Sequence, residues 1–251
     1  MPLSIIIITN RNDQRFLKSL ESAQFADEVL IIDNASGNDW QKLSQKFHFK
    51  VESLPGKINN FADVRNSAMD KAKNQWVMFL DSDEVLSKGA GSKIEPVLAN
   101  QNADGAMITR TDIFLGKELR FGETGSKKML RIFKKDLAHF NRAVHEVAKV
   151  GGTVVETEIE IKHYAHNTIS EFIADISWYA EIIAQQRLMN KPELLLKLVF
   201  YPSGKFVFNY FFKLGFLDGW RGLVYAVIMS IHSFSVRAFI YEQNKKVPSA
   251  A

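Results

Sequence analysis

The 251-residue chain has no cysteine. That excludes disulfides, thiol nucleophiles and cysteine-ligated zinc, and it fits a reducing compartment. It also lacks G-x-x-x-x-G-K-[ST], G-x-G-x-x-G and H-E-x-x-H. A P-loop, a dinucleotide fingerprint and a zincin helix are therefore unsupported. No internal repeat or low-complexity tract is present. Neither sign of charge dominates: 32 basic against 28 acidic side chains leave +4. So mild an excess favours an anionic surface or substrate without implying nucleic acid, and no nucleic-acid partner is expected. The opening "MPLSIIIITNRND" has no positive flank before its short apolar run and no small-residue cleavage site. It reads as a first strand rather than a signal peptide, which points to the cytoplasm.

What is present is ordinary globular composition, 46% apolar and 24% charged, enough for one large domain or a domain with an appendage. Short apolar runs at 4–9, 28–33, 76–81 and 105–110 look like strands buried on both faces, as in a parallel sheet. Helical patterns separate them. Phe16, Leu17, Leu20 and Ala23 share one helical face. A second helix follows Ser36 and Asn38, either of which would cap it, and a third follows Asn59 or Asn60. The alternation predicts a doubly wound, Rossmann-like α/β domain with ligands at the C-terminal ends of the strands. Val155, Thr157, Ile159 and Ile161 line one face of a later, antiparallel strand.

From about residue 168 the character changes. An amphipathic helix is followed by aromatic and aliphatic stretches punctuated by Lys197, Lys205, Lys213, Arg221 and Arg237. His232 and Arg237 interrupt the last apolar stretch, whereas a span usually needs about 20 predominantly apolar residues. Basic, aromatic-rich helices lying on an anionic membrane surface are the favoured reading; extra core and a true span are the alternatives. The expected division is 1–166 for the α/β domain and 167–251 for the helical region.

The stretch "WVMFLDSDEVL" (76–86) runs an apolar strand into Asp81, Asp83 and Glu84. Three carboxylates in four positions repel one another, so the segment is either a solvated turn or meets positive charge. In an extended segment Asp81 and Asp83 would face one point, which suits Mg²⁺ or Mn²⁺ with phosphate oxygens completing the shell.

In order, "SIIIITNRND", "VLIIDNASGND", "FADVRNSAMDKAKNQWVMFLDSDE" and "VHE" resemble the landmarks of family 2 glycosyltransferases of the GT-A fold. "IKHYAH" and "FKLGFLDGWRGLVYAV" resemble the bacterial subgroup containing the lipopolysaccharide inner-core β-1,4-glucosyltransferase that acts on heptose. The resemblance implies a GT-A domain with a membrane-associating helical extension at the cytoplasmic face of the inner membrane. It implies a UDP-sugar donor, a hexose such as glucose, and a lipid-linked saccharide acceptor. Alternatives are a capsule, exopolysaccharide or undecaprenyl-linked acceptor, or a non-catalytic nucleotide-binding scaffold.

By the same resemblance, Thr9, Asn10, Arg11, Asp33 and Asn34 fall at the nucleotide-holding strand ends. Asn34 stands where many relatives have a second Asp. Arg65 and Asn66 fall on the helix below the phosphates, where Arg65 would neutralise diphosphate or hold Asp81. Asp83, with Asp81 and His163, would hold the metal; His166 lies close enough to compete with His163. Glu84 would be a supporting residue or cap. Arg131 would contact diphosphate or an anionic acceptor, and Arg110 would do likewise with less support. Glu146 would be the general base, with His145 as fallback. Asp218 and Gly219 would cap and dock the final helix. The loop "RFGETGSKK" departs from the subgroup's pattern.

Overall fold

The computed structural model describes residues 2–54, 60–141, 147–185 and 191–246. The chain forms two compact units, one of 1–110 with 127–164 and one of 111–126 with 165–251.

In the first unit, β1 (Leu3–Thr9), β2 (Glu28–Asp33), β3 (Lys50–Ser53) and β4 (Trp76–Phe79) pair in parallel, in the order β3-β2-β1-β4. Helices α1 (Gln14–Ser22), α2 (Trp40–Ser44) and α3 (Phe61–Lys71) connect them. The sheet continues through β8 (Lys127–Lys134), β6 (Gly105–Phe114), β11 (Val154–His163) and β5 (Glu84–Leu86). The long runs of isoleucine have a simple cause. On β1, Leu3, Ile5 and Ile7 enter one core with Phe16 and Leu20 of α1 and Ile94 of α4 (Ala90–Ala99). Ile6 enters the opposite core with Ala68 and Met69 of α3. Each such side chain contributes roughly 1.5–3 kcal/mol by leaving water. β9 (Ala138–Asn141) and β10 (Val147–Val150) form an antiparallel pair on that second side.

Two local expectations are corrected here. The segment at 105–110 is a strand, but it pairs antiparallel with β8, so the sheet is mixed rather than parallel. A short apolar run does not report strand direction: Ala106 and Ile108 are buried in one core although the strand runs antiparallel. Asp39, not Ser36 or Asn38, caps α2. Ser36 Oγ instead accepts from Asn38, whose Nδ2 also donates to the Arg11 carbonyl. Asn60 caps α3 as expected.

The second unit contains α5 (Ile169–Gln185), α6 (Lys191–Val207), a π-turn at Phe208–Phe212, a 3₁₀ turn at Gly215–Asp218 and α7 (Trp220–Lys246). Its 111–126 segment brings the end of β6 against β7 (Lys117–Leu119). Phe114, Leu119, Phe172, Ile176 and Ile228 share one core. Asp218 does not cap α7. Its carboxylate is buried and accepts the backbone N–H groups of Arg120 and Phe121. Gly215 and Gly222 permit the close packing of this corner: a Cβ on Gly222 would stand 1.9 Å from the Gly215 carbonyl oxygen.

Candidate active site

The strand order reverses between β1 and β4, since the chain builds outward through β2 and β3 before returning to the other side of β1. Open α/β sheets leave a crevice at such a point, at the C-terminal ends of the strands. Thr9 to Arg11 leave β1 there, and Asp81 to Glu84 follow β4.

The acidic segment is a turn and not extended chain: the Glu84 N–H donates to the Asp81 carbonyl at 2.9 Å. The two-residue alternation therefore does not apply. Ser82 is buried, and the two aspartates meet different partners. Asp81 receives Arg65 Nη2 at 3.0 Å on Oδ1 and Arg131 Nη2 at 2.8 Å on Oδ2. Arg131 Nη2 also reaches Glu84 Oε1 at 2.9 Å, and Arg110 stands 3.8 Å from the same oxygen. Asp83 Oδ2 receives Arg11 Nη2 at 3.3 Å. The turn thus meets positive charge on every carboxylate.

Burial alone would raise the pKa of Asp81. The charges and hydrogen bonds of Arg131 and Arg65 overcome that and hold it well below the usual carboxylate range. Glu84 is fully buried, and that burial pushes its pKa up; the Asp81 charge adds to the rise and Arg131 opposes it. Glu84 also accepts the Asp81 N–H at 3.0 Å, closing the turn from inside.

His163 comes to Asp83 through strand register. In the antiparallel β11–β5 pair His163 lies opposite Glu84, and the next N–H, of Tyr164, donates to the Asp83 carbonyl at 2.8 Å. His163 Nε2 then lies 3.7 Å from Asp83 Oδ1, with both side chains slightly exposed. One oxygen and one imidazole nitrogen facing each other suit a divalent cation that keeps the rest of its shell for phosphate and water. Among the described residues, no group of three or more His, Asp or Glu side chains is placed to hold a metal. Among the described residues, Asp83 and His163 are the pair that could serve as ligands there. His166 is elsewhere, in the second unit, with Nδ1 3.1 Å from Asp175 and its ring stacked on Phe172.

The remaining residues divide. Thr9 is buried, and its hydroxyl accepts the Arg11 N–H. Asn10 is exposed at the strand end. Asp33 accepts the Ser36 N–H at 2.9 Å on Oδ1 and Trp40 Nε1 at 3.0 Å on Oδ2, so it organises the turn after β2. The Asn34 N–H donates to the Thr9 carbonyl. Asn66 leaves the crevice: its side chain donates to the Phe140 carbonyl and accepts the Phe140 N–H, binding α3 to β9. Arg65 stands over the Phe79 and Phe140 rings, 4.9 and 5.5 Å from their centroids. His145 and Glu146 lie outside the described residues. The sequence reading did not pair Arg11 with Asp83 or Arg110 with Glu84. Only the position of Arg11, just past the end of β1, hinted at either.

Residues 4–156 match the family model for glycosyl transferase family 2. The chain is similar to the lipopolysaccharide core biosynthesis glycosyltransferase LpsC of Rhizobium meliloti (strain 1021), 23% identical over 257 residues that cover 97% of this chain and 93% of that protein. It is also similar to an uncharacterized glycosyltransferase of Rickettsia typhi (strain ATCC VR-144 / Wilmington), 21% identical over 97% of this chain and 88% of that one. Among solved structures, S. aureus TarS in complex with UDP-GlcNAc aligns at TM-score 0.47 and 14% identity, over 98% of this chain and 92% of that one. The family match takes in most of the chain and most of the mixed sheet, including the strand ends at the β1–β4 switch point. The chain belongs to glycosyl transferase family 2, and its first unit has the GT-A fold.

Proposed function

We propose that the protein transfers a hexose, best assigned as glucose, from a UDP-sugar to a hydroxyl of a lipid-linked saccharide such as lipopolysaccharide inner-core heptose. The observation that carries this reading is the arginine-braced turn at the sheet's switch point, with Asp83 and His163 facing each other beside it. The LpsC name supports the acceptor class. The basic, apolar second unit supports a peripheral place on the anionic cytoplasmic face of the bacterial inner membrane.

Asp83 and His163 would hold Mg²⁺ or Mn²⁺, with Asp81 reaching the ribose or acting through water. When bound, that ion supplies neutralisation of the charge that builds on the departing diphosphate. Arg65 and Arg131 hold Asp81, and Arg131 also holds Glu84, which fixes the shape of the turn. Arg11 leaves the end of β1 beside Asp83, a position from which it would also meet phosphate oxygen. Glu146 takes the acceptor hydroxyl's proton, with His145 the alternative. The acceptor oxygen then bonds to the sugar C1 as the C1–O bond to UDP breaks, inverting the anomeric centre.

UDP release across a panel of UDP-sugars, with Mn²⁺, Mg²⁺ or EDTA, tests the reading. We expect one donor to be consumed, only with metal, and not by Asp83→Ala. Glu146→Gln should keep UDP binding while transfer falls by roughly 10²–10⁴-fold. Absence of both release and UDP binding would overturn the proposal.

A further inference from the structure

In the second unit the helix long enough to span a membrane and the most exposed apolar surface are different elements. Residues Trp220–Asn244 of α7 are long enough to cross a bilayer, and an 18-residue window within them has a mean hydropathy of 1.6. Yet α7 supplies core. Ala226, Ile228, Val236 and Ile240 are buried, joining the clusters built from Phe172, Ile176, Ala180 and Leu194. Ser230 donates to the Pro202 carbonyl. Arg237, within the same stretch, donates to Ser233 and lies 3.7 Å from the Tyr201 ring centroid. A guanidinium tied up in this way suits a helix packed against α6 better than one surrounded by lipid tails.

The outer face of α7 leaves Leu223, Val227, Ile231 and Phe234 40–47% exposed, and α6 with the turns after it is more exposed still. Leu196, Val199, Phe200, Phe211 and Phe212 are 53–73% exposed, and Leu217 and Trp220 are more than half exposed. An open groove of about 550 Å³ runs beside this face, with Leu196, Phe200, Tyr201 and Phe208 among its walls. Charge along this stretch is mainly basic, although Lys197 and Lys205 pair with Glu193 and Glu123. Between Leu194 and Tyr241 the basic residues are Lys197, Lys205, Lys213, Arg221 and Arg237; the sole acid is Asp218, which is buried. Lys213 and Arg221 lie over the rings of Phe208 and Trp220. Cations beside exposed aromatics match the boundary between headgroups and acyl chains, where rings enter lipid and amines stay with phosphate.

We infer that α6 and the turns from Phe208 to Trp220 form an interfacial wedge that docks on an anionic bilayer, while α7 packs behind them and does not cross it. The inference deepens the peripheral placement proposed above and rests on that placement.

Vesicle flotation of the full chain, without donor or acceptor, tests it. Vesicles of phosphatidylcholine alone would be compared with vesicles carrying about 30% phosphatidylglycerol. The wild type should float with the anionic vesicles and be released by alkaline carbonate. Phe200→Asp combined with Phe212→Asp should weaken binding by about tenfold or more. Leu137→Ser combined with Val154→Ser, exposed apolar positions of the first unit, should leave it unchanged, with thermal melts reporting that each variant folds. Asp83→Ala should float like wild type, so loss of transfer and loss of docking are read separately. Carbonate-resistant binding would make α7 a span. Undiminished binding by the Phe200/Phe212 variant would remove the wedge. A dimer that fails to float and dissociates on the same substitutions would assign the face to a second copy. Each of these results overturns the inference.

Discussion

Arg131 Nη2 is shared by Asp81 and Glu84, at 2.8 and 2.9 Å, and its side chain is 9% exposed. Arg131→Met would leave two crowded carboxylates without their common cation. The expected loss is about 3–5 kcal/mol in urea unfolding, the usual cost of breaking a buried ion pair from one side. Arg131→Lys should recover only part, because an ammonium is a point charge and lacks the guanidinium's fork of donors. The need for counter-charge is legible in the sequence, since three carboxylates within four positions cannot be buried alone. Arg65 as the holder of Asp81 is legible too. Arg11 and Arg131 are not, because they lie 72 and 47 residues from the carboxylates they meet and sheet pairing alone delivers them.

β1, β2 and the chain entering β4 are tied together at the end of the sheet away from the crevice. Glu28 Oε2 accepts Ser4 Oγ and the Lys73 N–H, each at 2.6 Å, and Oε1 accepts Lys50 Nζ at 3.1 Å. Glu28→Ala takes the acceptor away from the buried Ser4 hydroxyl and from the Lys73 N–H and should cost about 1–3 kcal/mol in urea unfolding, with UDP binding unchanged. Burial alone would raise the Glu28 pKa, but the hydrogen bonds from Ser4, Lys73 and Lys50 carry it below the ordinary 4.5. Its folded pKa is therefore lower than its unfolded one. The stabilisation is fully present above 4.5 and is lost as pH falls through the folded value. The gap between wild type and Glu28→Ala should accordingly narrow in acid. Strands and helices were legible from apolar period and from caps such as Asn60. Strand direction in β6 and the capping of α2 were not, because pairing partners and loop hydrogen bonds decide them rather than local pattern.

Across the whole chain, the change of character near residue 168 marks where helices replace the sheet. Composition did not reveal that 111–126 clusters with those helices. That grouping is fixed by contacts such as Asp218 with the backbone of Arg120 and Phe121, and Glu123 with Lys205 and Asn209. The sequence pattern points to the aromatic, basic helices as a group, and only packing shows that α6 is the most exposed of them. The account depends on one pair in the first unit, Asp83 and His163 at the crevice. Calorimetric titration of UDP into the full chain, in Mn²⁺ and in EDTA, with wild type and Asp83→Asn, tests that pair most directly. The account predicts that Mn²⁺ tightens UDP binding by about tenfold or more in wild type and not in Asp83→Asn, which should still fold. Equal affinity with and without metal, or the same metal effect in both proteins, would contradict it.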